Sequence, residues 1–179
     1  MNAFWDFYWP LLTAAVVVGV VTGWMGFRAK GARQPRTSEF RRHAALVVVA
    51  GAIAVLIFGA LWHGPLGTGH RFATSIEQES RRVLVDWEMP QIQAQLEHRP
   101  LKRTLVLSGP ADDFQRSELI PIMDGVPGVA NVRWADMRPP LRLPLVAEAE
   151  LAGLLCFSLG LLLSYLLELR RRYRAQWSW

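Results

Sequence analysis

The side chains best suited to chemistry in this chain are four histidines, and their positions argue against a shared site. They are His43, His63, His70 and His98. A haem held between two helices needs an axial ligand from each helix. His43 and His63 instead lie at the two ends of one apolar stretch, and the other apolar stretches contain no histidine. His63 and His70 flank a glycine-rich connector, where two linker histidines are a simpler interpretation than a metal-binding pair.

The remaining reactive groups give no arrangement for nucleophilic or acid–base catalysis. Cys156, the only cysteine, lies in an apolar stretch, where a thiol behaves as a small hydrophobic side chain. Asp112 and Asp113 are adjacent, and adjacent residues of a helix do not face each other. They suit the first turn of a helix, which carries partial positive charge. We therefore expect a protein that is not an enzyme, with no catalytic residue, no cofactor and no metal.

Three long apolar stretches form the framework on which these residues lie. Residues 7–27, 44–62 and 151–167 contain no Asp, Glu, Lys or Arg. About 20 helical residues cross a hydrocarbon core of about 30 Å, whereas a strand is only about 4–8 residues long. The length therefore predicts three transmembrane α-helices. We place them within residues 1–27, 44–62 and, with the third stretch extended towards its N-terminus, 145–167.

Tryptophans and charges near the stretch ends predict how the chain is oriented. Six of the eight tryptophans lie there, as in an interfacial aromatic belt: Trp5, Trp9, Trp24, Trp62, Trp177 and Trp179. Residues 28–43 carry six cations and one glutamate, and residues 168–179 carry four arginines and one glutamate. The positive-inside rule places this loop and this tail in the cytoplasm. The N-terminus and residues 63–142 then lie on the outer side of the membrane.

The same charge distribution argues against binding to nucleic acid. Residues 63–145, which contain the only segment long enough for a folded domain, hold ten cations and ten anions. The basic excess is therefore confined to short segments next to the apolar stretches, where it sets membrane orientation and offers no groove for a phosphate backbone.

Residues 63–142 show the alternating periodicities of a small α+β domain. We predict a helix over 72–87, strands over 91–97 and 104–107 that pair antiparallel, a helix over 112–124 and a strand over 129–135. Expected core contacts on the two helices are Phe72, Ile76, Val83, Trp87, Phe114, Ile120 and Ile122. Pro121 is expected to kink or divide the second helix.

Two glycine-containing motifs in this αββαβ order resemble those of the BON-domain family. Leu107-Ser108-Gly109 ends the second strand, and Val126-Pro127-Gly128-Val129-Ala130-Asn131-Val132 follows the second helix. They match the L-x-G and V-x-G-V-x-x-V patterns of that family. The resemblance covers about residues 70–136. The resemblance implies a bacterial envelope module, here on the outer side of the inner membrane, that binds a partner or phospholipid head groups and has no catalytic residues. An unrelated α+β domain is the alternative. Both glycines fall at turns where φ is expected to be positive.

Two surfaces are candidates for contact. A stripe of small residues on the first apolar stretch, Ala15, Gly19, Gly23 and Gly26, suits close helix packing. It faces either the second stretch, through Ala52 and Gly59, or another integral membrane protein.

The second candidate surface is the basic turn of Arg99, Lys102 and Arg103. This turn either contacts an acidic partner or lipid head groups, or it is a solvated hairpin tip without a partner.

We expect an accessory or scaffold subunit of a membrane complex. The alternative is a subunit of a respiratory or photosynthetic enzyme, or of a transporter, that is active only with other chains.

Overall fold

The computed structural model describes residues 3–28 and 38–177, which form five helices and a three-stranded sheet. The predicted loop residues Lys30, Arg33 and Arg36, and Trp179 of the predicted tail, lie outside the described residues. The elements in chain order are α1 Ala3–Phe27, α2 Ser38–His63, α3 Thr68–Asp86, β1 Gln93–His98, β2 Leu101–Ser108, α4 Asp113–Asp124, β3 Asn131–Trp134 and α5 Leu145–Trp177.

The chain divides into two compact units, which are described separately. The sheet unit comprises Met1–Tyr8 and Trp62–Glu148, and the helix unit comprises Trp9–Leu61 and Ala149–Trp179. The sheet unit therefore contains the first turns of α1 and α5 together with α3, α4 and all three strands.

Three of the helices are long and apolar enough to cross a membrane, as the length argument predicted. The spans are Phe4–Phe27, Ser38–His63 and Leu145–Arg174. Two of these helices extend beyond the predicted limits: α2 begins inside the predicted loop 28–43, and α5 continues through most of the predicted tail 168–179. Charged residues mark the end of an apolar stretch, but they do not end a helix. In α5, Glu168 forms ion pairs with Arg171 and Arg172, which lie three and four residues further along. Ion pairs at these spacings stabilise a helix, so α5 continues through its charged segment.

The sheet has the order β1-β2-β3, and the predicted element order αββαβ is confirmed. β1 and β2 pair antiparallel, as predicted, with Leu96 opposite Leu105. β3 pairs parallel with β2, with Val132 opposite Leu105. A parallel pair needs a long crossover, and α4 supplies it.

The buried face of α3 follows a four-residue repeat. Phe72, Ile76, Ser80 and Leu84 are buried, so the predictions for Phe72 and Ile76 are confirmed. Trp87 is 55% exposed, and its predicted core position is wrong. It follows the last helical residue as the C-cap, where the helical periodicity no longer sets the direction of its side chain.

The α4 helix buries Leu119 and Met123, whereas Phe114 is 73% exposed. The predicted core role of Phe114 is therefore wrong. The helix begins as predicted from its acidic residues, because the Asp112 carboxylate accepts a hydrogen bond from the Gln115 backbone N–H at 2.7 Å. The Asp112 backbone N–H in turn donates to the side-chain oxygen of Gln115 at 3.1 Å, which completes a capping box.

Pro121 lies inside a single helix, Asp113–Asp124, so the predicted division of α4 does not occur. A proline within a helix leaves the carbonyl four residues earlier without its backbone partner. Here that residue is Ser117, which is exposed, as is Pro121 itself. Water can therefore hydrate the carbonyl, and the helix continues for one more turn.

Both motif glycines have positive φ, as predicted: 133° at Gly109 and 103° at Gly128. Space is also limited at Gly128, because a Cβ there would lie 2.6 Å from Cδ1 of Ile76 on the buried face of α3. The turn before β3 therefore needs glycine both for its backbone conformation and for its contact with α3.

Replacing Gly128 with valine should destabilise the sheet unit by about 1–3 kcal/mol, because valine disfavours positive φ and collides with Ile76. The measurement is hydrogen exchange of the β2 and β3 amides in the full chain in mild detergent. Gly125→Ala is the matched control, since Gly125 has an ordinary φ of −71°. Equal protection of the strands in the two variants would contradict the role assigned to Gly128.

Candidate functional site

Arg103 on β2 connects several parts of the sheet unit. Its Nε donates a hydrogen bond to the carbonyl of Gly128 at 2.8 Å. Its Nη1 lies 3.4 Å from Oε2 of Glu148, in the first turn of α5. The guanidinium also lies 4.9 Å from the ring centroid of Phe4, in the first turn of α1. The side chain is only 21% exposed, so Arg103 holds these segments together from within the unit.

Glu148 completes this cluster by binding a second donor. The buried Tyr8 hydroxyl donates to the same Oε2 atom of Glu148, at 3.4 Å. A carboxylate that accepts from a guanidinium and a phenol is charge-compensated and fixed in place. We call this group the Arg103 cluster; it consists of Arg103, Glu148, Tyr8 and Phe4. The cluster therefore connects β2 to the first turns of α1 and α5.

The structure does not bring Arg99, Lys102 and Arg103 together as one outward surface. β2 begins at Leu101, so Lys102 and Arg103 belong to a strand and point to opposite faces. Lys102 pairs with Glu97 at 2.9 Å, and both side chains are mostly buried. Arg99 is exposed at the hairpin, and no carboxylate pairs with it in the described part of the chain. The predicted basic contact surface is thus reduced to one exposed cation.

Another ion pair joins α4 to the turn that follows β3. Arg116 lies 2.7 Å from Asp136, and its guanidinium lies 4.8 Å from the ring centroid of Trp134. The hydrogen bond from Arg116 lowers the pKa of the Asp136 carboxyl. Because the pKa is lowered in the folded state, the contact stabilises the folded protein at a pH above the unfolded-state pKa. This stabilisation is lost as the pH falls through the folded-state pKa.

The histidines remain separate in the structure. His63 packs edge-on to the Phe7 ring at 6.3 Å and lies beside Gly69, whereas His70 is exposed. His98 pairs with Glu77 at 2.8 Å and so connects β1 to α3. Across residues 3–28 and 38–177, no three His, Cys, Asp or Glu side chains are grouped to hold a metal ion.

The small-residue stripe of α1 packs inside the helix unit, mainly against α5. A Cβ on Gly19 would lie 3.1 Å from Cα of Gly160, and a Cβ on Gly23 would lie 2.6 Å from Cβ of Ser164. The backbones of α1 and α5 therefore approach as closely as glycine allows. Gly160 and Ser164 were not considered from the sequence, although Gly-x-x-x-Ser is itself a small-residue spacing that indicates such a face.

The expected contact of this stripe with the second apolar stretch is found only at its ends. Gly26 faces Ala44 of α2 at ordinary contact distance, and Ala15 packs with Val55 and Phe157. Gly59 of α2, expected to face α1, instead packs against Glu150 of α5, whose Cδ would lie 2.8 Å from an added Cβ. The stripe is thus divided between α5 and α2.

The third candidate span contains carboxylates on both sides of the uncharged stretch 151–167. Leu145–Arg174 includes Glu148, Glu150 and Glu168, because α5 begins before the apolar stretch and ends after it. Glu168, with its side chain 8% exposed, accepts from Arg171 and Arg172, each at 2.8 Å. The Oε2 atom of Glu150 is buried, and no hydrogen-bond partner for it is found among the described residues.

Searches of family models, of curated proteins and of solved structures give no match to this chain.

Replacing Arg103 with glutamine should lower the free energy of unfolding of the sheet unit by about 1–3 kcal/mol, because Glu148 and the Gly128 carbonyl lose a charged donor. Arg99→Gln removes the same charge from an exposed site and should change stability by less than about 0.5 kcal/mol. Thermal unfolding of the full chain in mild detergent measures both. If the two variants have the same unfolding temperature, Arg103 does not connect β2 to the first turns of α1 and α5 in a way that stabilises the sheet unit.

Proposed function

We propose that this chain is a non-catalytic integral membrane accessory or scaffold subunit that carries a BON-like domain on the outer side of a bacterial inner membrane. The observation that carries the proposal is the apolar exterior of all three long helices. Large apolar side chains are exposed along each of them: Val17, Val21, Leu46, Val49, Ile53, Ile57, Leu155, Leu159, Leu162 and Leu166. Such a surface is unfavourable in water, and a bilayer would cover it.

The charges at the helix ends support the orientation. Arg28 follows α1, Arg41 and Arg42 lie near the start of α2, and four arginines lie in the last turns of α5. In alternating helices these three ends fall on one side of the membrane, which the positive-inside rule assigns to the cytoplasm. The N-terminus and the sheet unit are then outside, and the C-terminus is inside.

The sheet unit offers contact surface of the kind that an interaction module uses. Phe114 and Trp87 are large aromatic side chains, each more than half exposed, and aromatic side chains often supply much of the binding energy at an interface. Arg99 adds an exposed cation for an acidic partner or a phospholipid head group. The αββαβ order and the positive φ of Gly109 and Gly128 support the BON-like assignment.

Glu150 favours a second candidate function. An ionisable side chain within a span is unfavourable in lipid and often marks an ion or proton path. Glu150 packs against Gly59 with one carboxylate oxygen buried. A subunit of a multi-chain respiratory or photosynthetic enzyme, or of a transporter, would use such a residue together with groups from other chains.

Purification of the full chain from its native membrane in mild detergent tests the scaffold proposal. We expect a membrane protein to co-purify in constant ratio and to be lost from the Phe114→Ser/Trp87→Ser variant, because the aromatic contact surface is removed. Glu118→Gln, an exposed change on α4, is the matched control and should retain the partner.

A chain that purifies alone, or a variant that keeps every partner, would contradict the proposal. Loss of a defined turnover on Glu150→Gln, with all partners retained, would favour the second candidate instead.

A further inference from the structure

A groove of about 380 Å³ lies between α1 and α5, close to the basic ends of both helices. Its walls include the apolar side chains Val20, Val21 and Leu167, and Arg28 and Arg171 also line it. The volume is within the range of about 300–1,000 Å³ that is usual for small-molecule sites. The groove therefore combines an apolar length with cations at one end, all within the helix unit.

The two cations are positioned by different contacts. The Arg28 guanidinium lies 5.1 Å from the ring centroid of Trp24, a cation–π contact that directs it along the end of α1. Arg171 is held by two hydrogen bonds to Glu168, at 2.8 and 2.9 Å. Within the described residues Arg28 has no carboxylate partner, so Glu168 compensates Arg171 and one positive charge is in excess in the groove.

We propose that this groove binds one anionic phospholipid. The acyl chain lies along Val20, Val21 and Leu167, and the phosphate accepts hydrogen bonds from the guanidinium of Arg28. The depth is suitable, because Trp24 is exposed at the end of α1 as an interfacial tryptophan is. The uncompensated charge favours an anionic over a zwitterionic head group. This inference rests on the proposed insertion of α1 and α5 in a membrane.

The apolar walls distinguish a lipid from a free anion. Inorganic phosphate would use only the cations, and it would leave the side chains of Val20, Val21 and Leu167 exposed to water. A bound lipid uses both parts of the groove. Its affinity should therefore depend separately on charge at Arg28 and on open space beside Val21.

Titration of the purified full chain in detergent with dioleoyl phosphatidylglycerol, read by native mass spectrometry, tests the site. Dioleoyl phosphatidylcholine and inorganic phosphate are titrated in parallel, and we expect phosphatidylglycerol to bind most tightly. Arg28→Gln should weaken it about fivefold, the loss expected for one cation near anionic lipid. Val21→Trp should weaken it by filling the groove. Arg170→Gln, an exposed change outside the groove lining, should alter the affinity by less than about twofold.

Three results would overturn the inference: equal affinity for phosphatidylcholine, equal affinity for inorganic phosphate, or equal losses for Arg28→Gln and Arg170→Gln. Alkaline carbonate extraction of membranes separates this failure from that of the proposed function. A chain released by carbonate is not inserted, and both proposals then fail. A retained chain whose Arg28→Gln variant binds phosphatidylglycerol as wild type does would reject the lipid site alone.

Discussion

The apolar exterior of α1, α2 and α5 is the constraint on which the other features of the helix unit depend. Exposing this surface to water would be unfavourable, whereas lipid would cover it without rearrangement. Lipid would also remove the hydrophobic drive that packs helices in soluble proteins, because acyl chains are as apolar as leucine. Helices in lipid are held instead by close van der Waals contact, which small residues permit. Gly19 facing Gly160, and Gly51 facing Thr22, meet that requirement.

The sheet unit is stabilised by an apolar core and by polar contacts. Its core is a small apolar layer between the sheet and α3 and α4, with Trp134, Leu105 and Ile76 fully buried. The Arg103 cluster adds a mostly buried polar tie to the first turns of α1 and α5. Arg103 was expected to contact a partner, but its charge pairs with Glu148 within the sheet unit. Phe114 and Trp87 were expected in the core, but both are exposed.

Features that depend on local pattern could be predicted from the sequence. The three long apolar helices, the element order αββαβ and the positive φ of Gly109 and Gly128 follow from run length, periodicity and turn chemistry. Features that depend on a distant partner could not. The periodicity of α4 does not say which face the sheet covers, so Phe114 was misplaced. Nothing near Gly19 in the sequence says that α5, and not α2, packs on it. Apolar run length also underestimated α5, because charged residues continue that helix beyond the predicted end at residue 167 to Trp177.

In the proposed topology, all three long helices cross a membrane and the sheet unit lies outside. Single cysteines at Ser38, at the start of α2, and at Ser75, on the exposed face of α3, test it most directly in a Cys156→Ala background. A membrane-impermeant maleimide is applied to intact spheroplasts and to lysed membranes. We expect the Ser75→Cys variant to be labelled in both and the Ser38→Cys variant to be labelled only after lysis. Labelling of position 38 in intact spheroplasts, or protection of position 75, would contradict it.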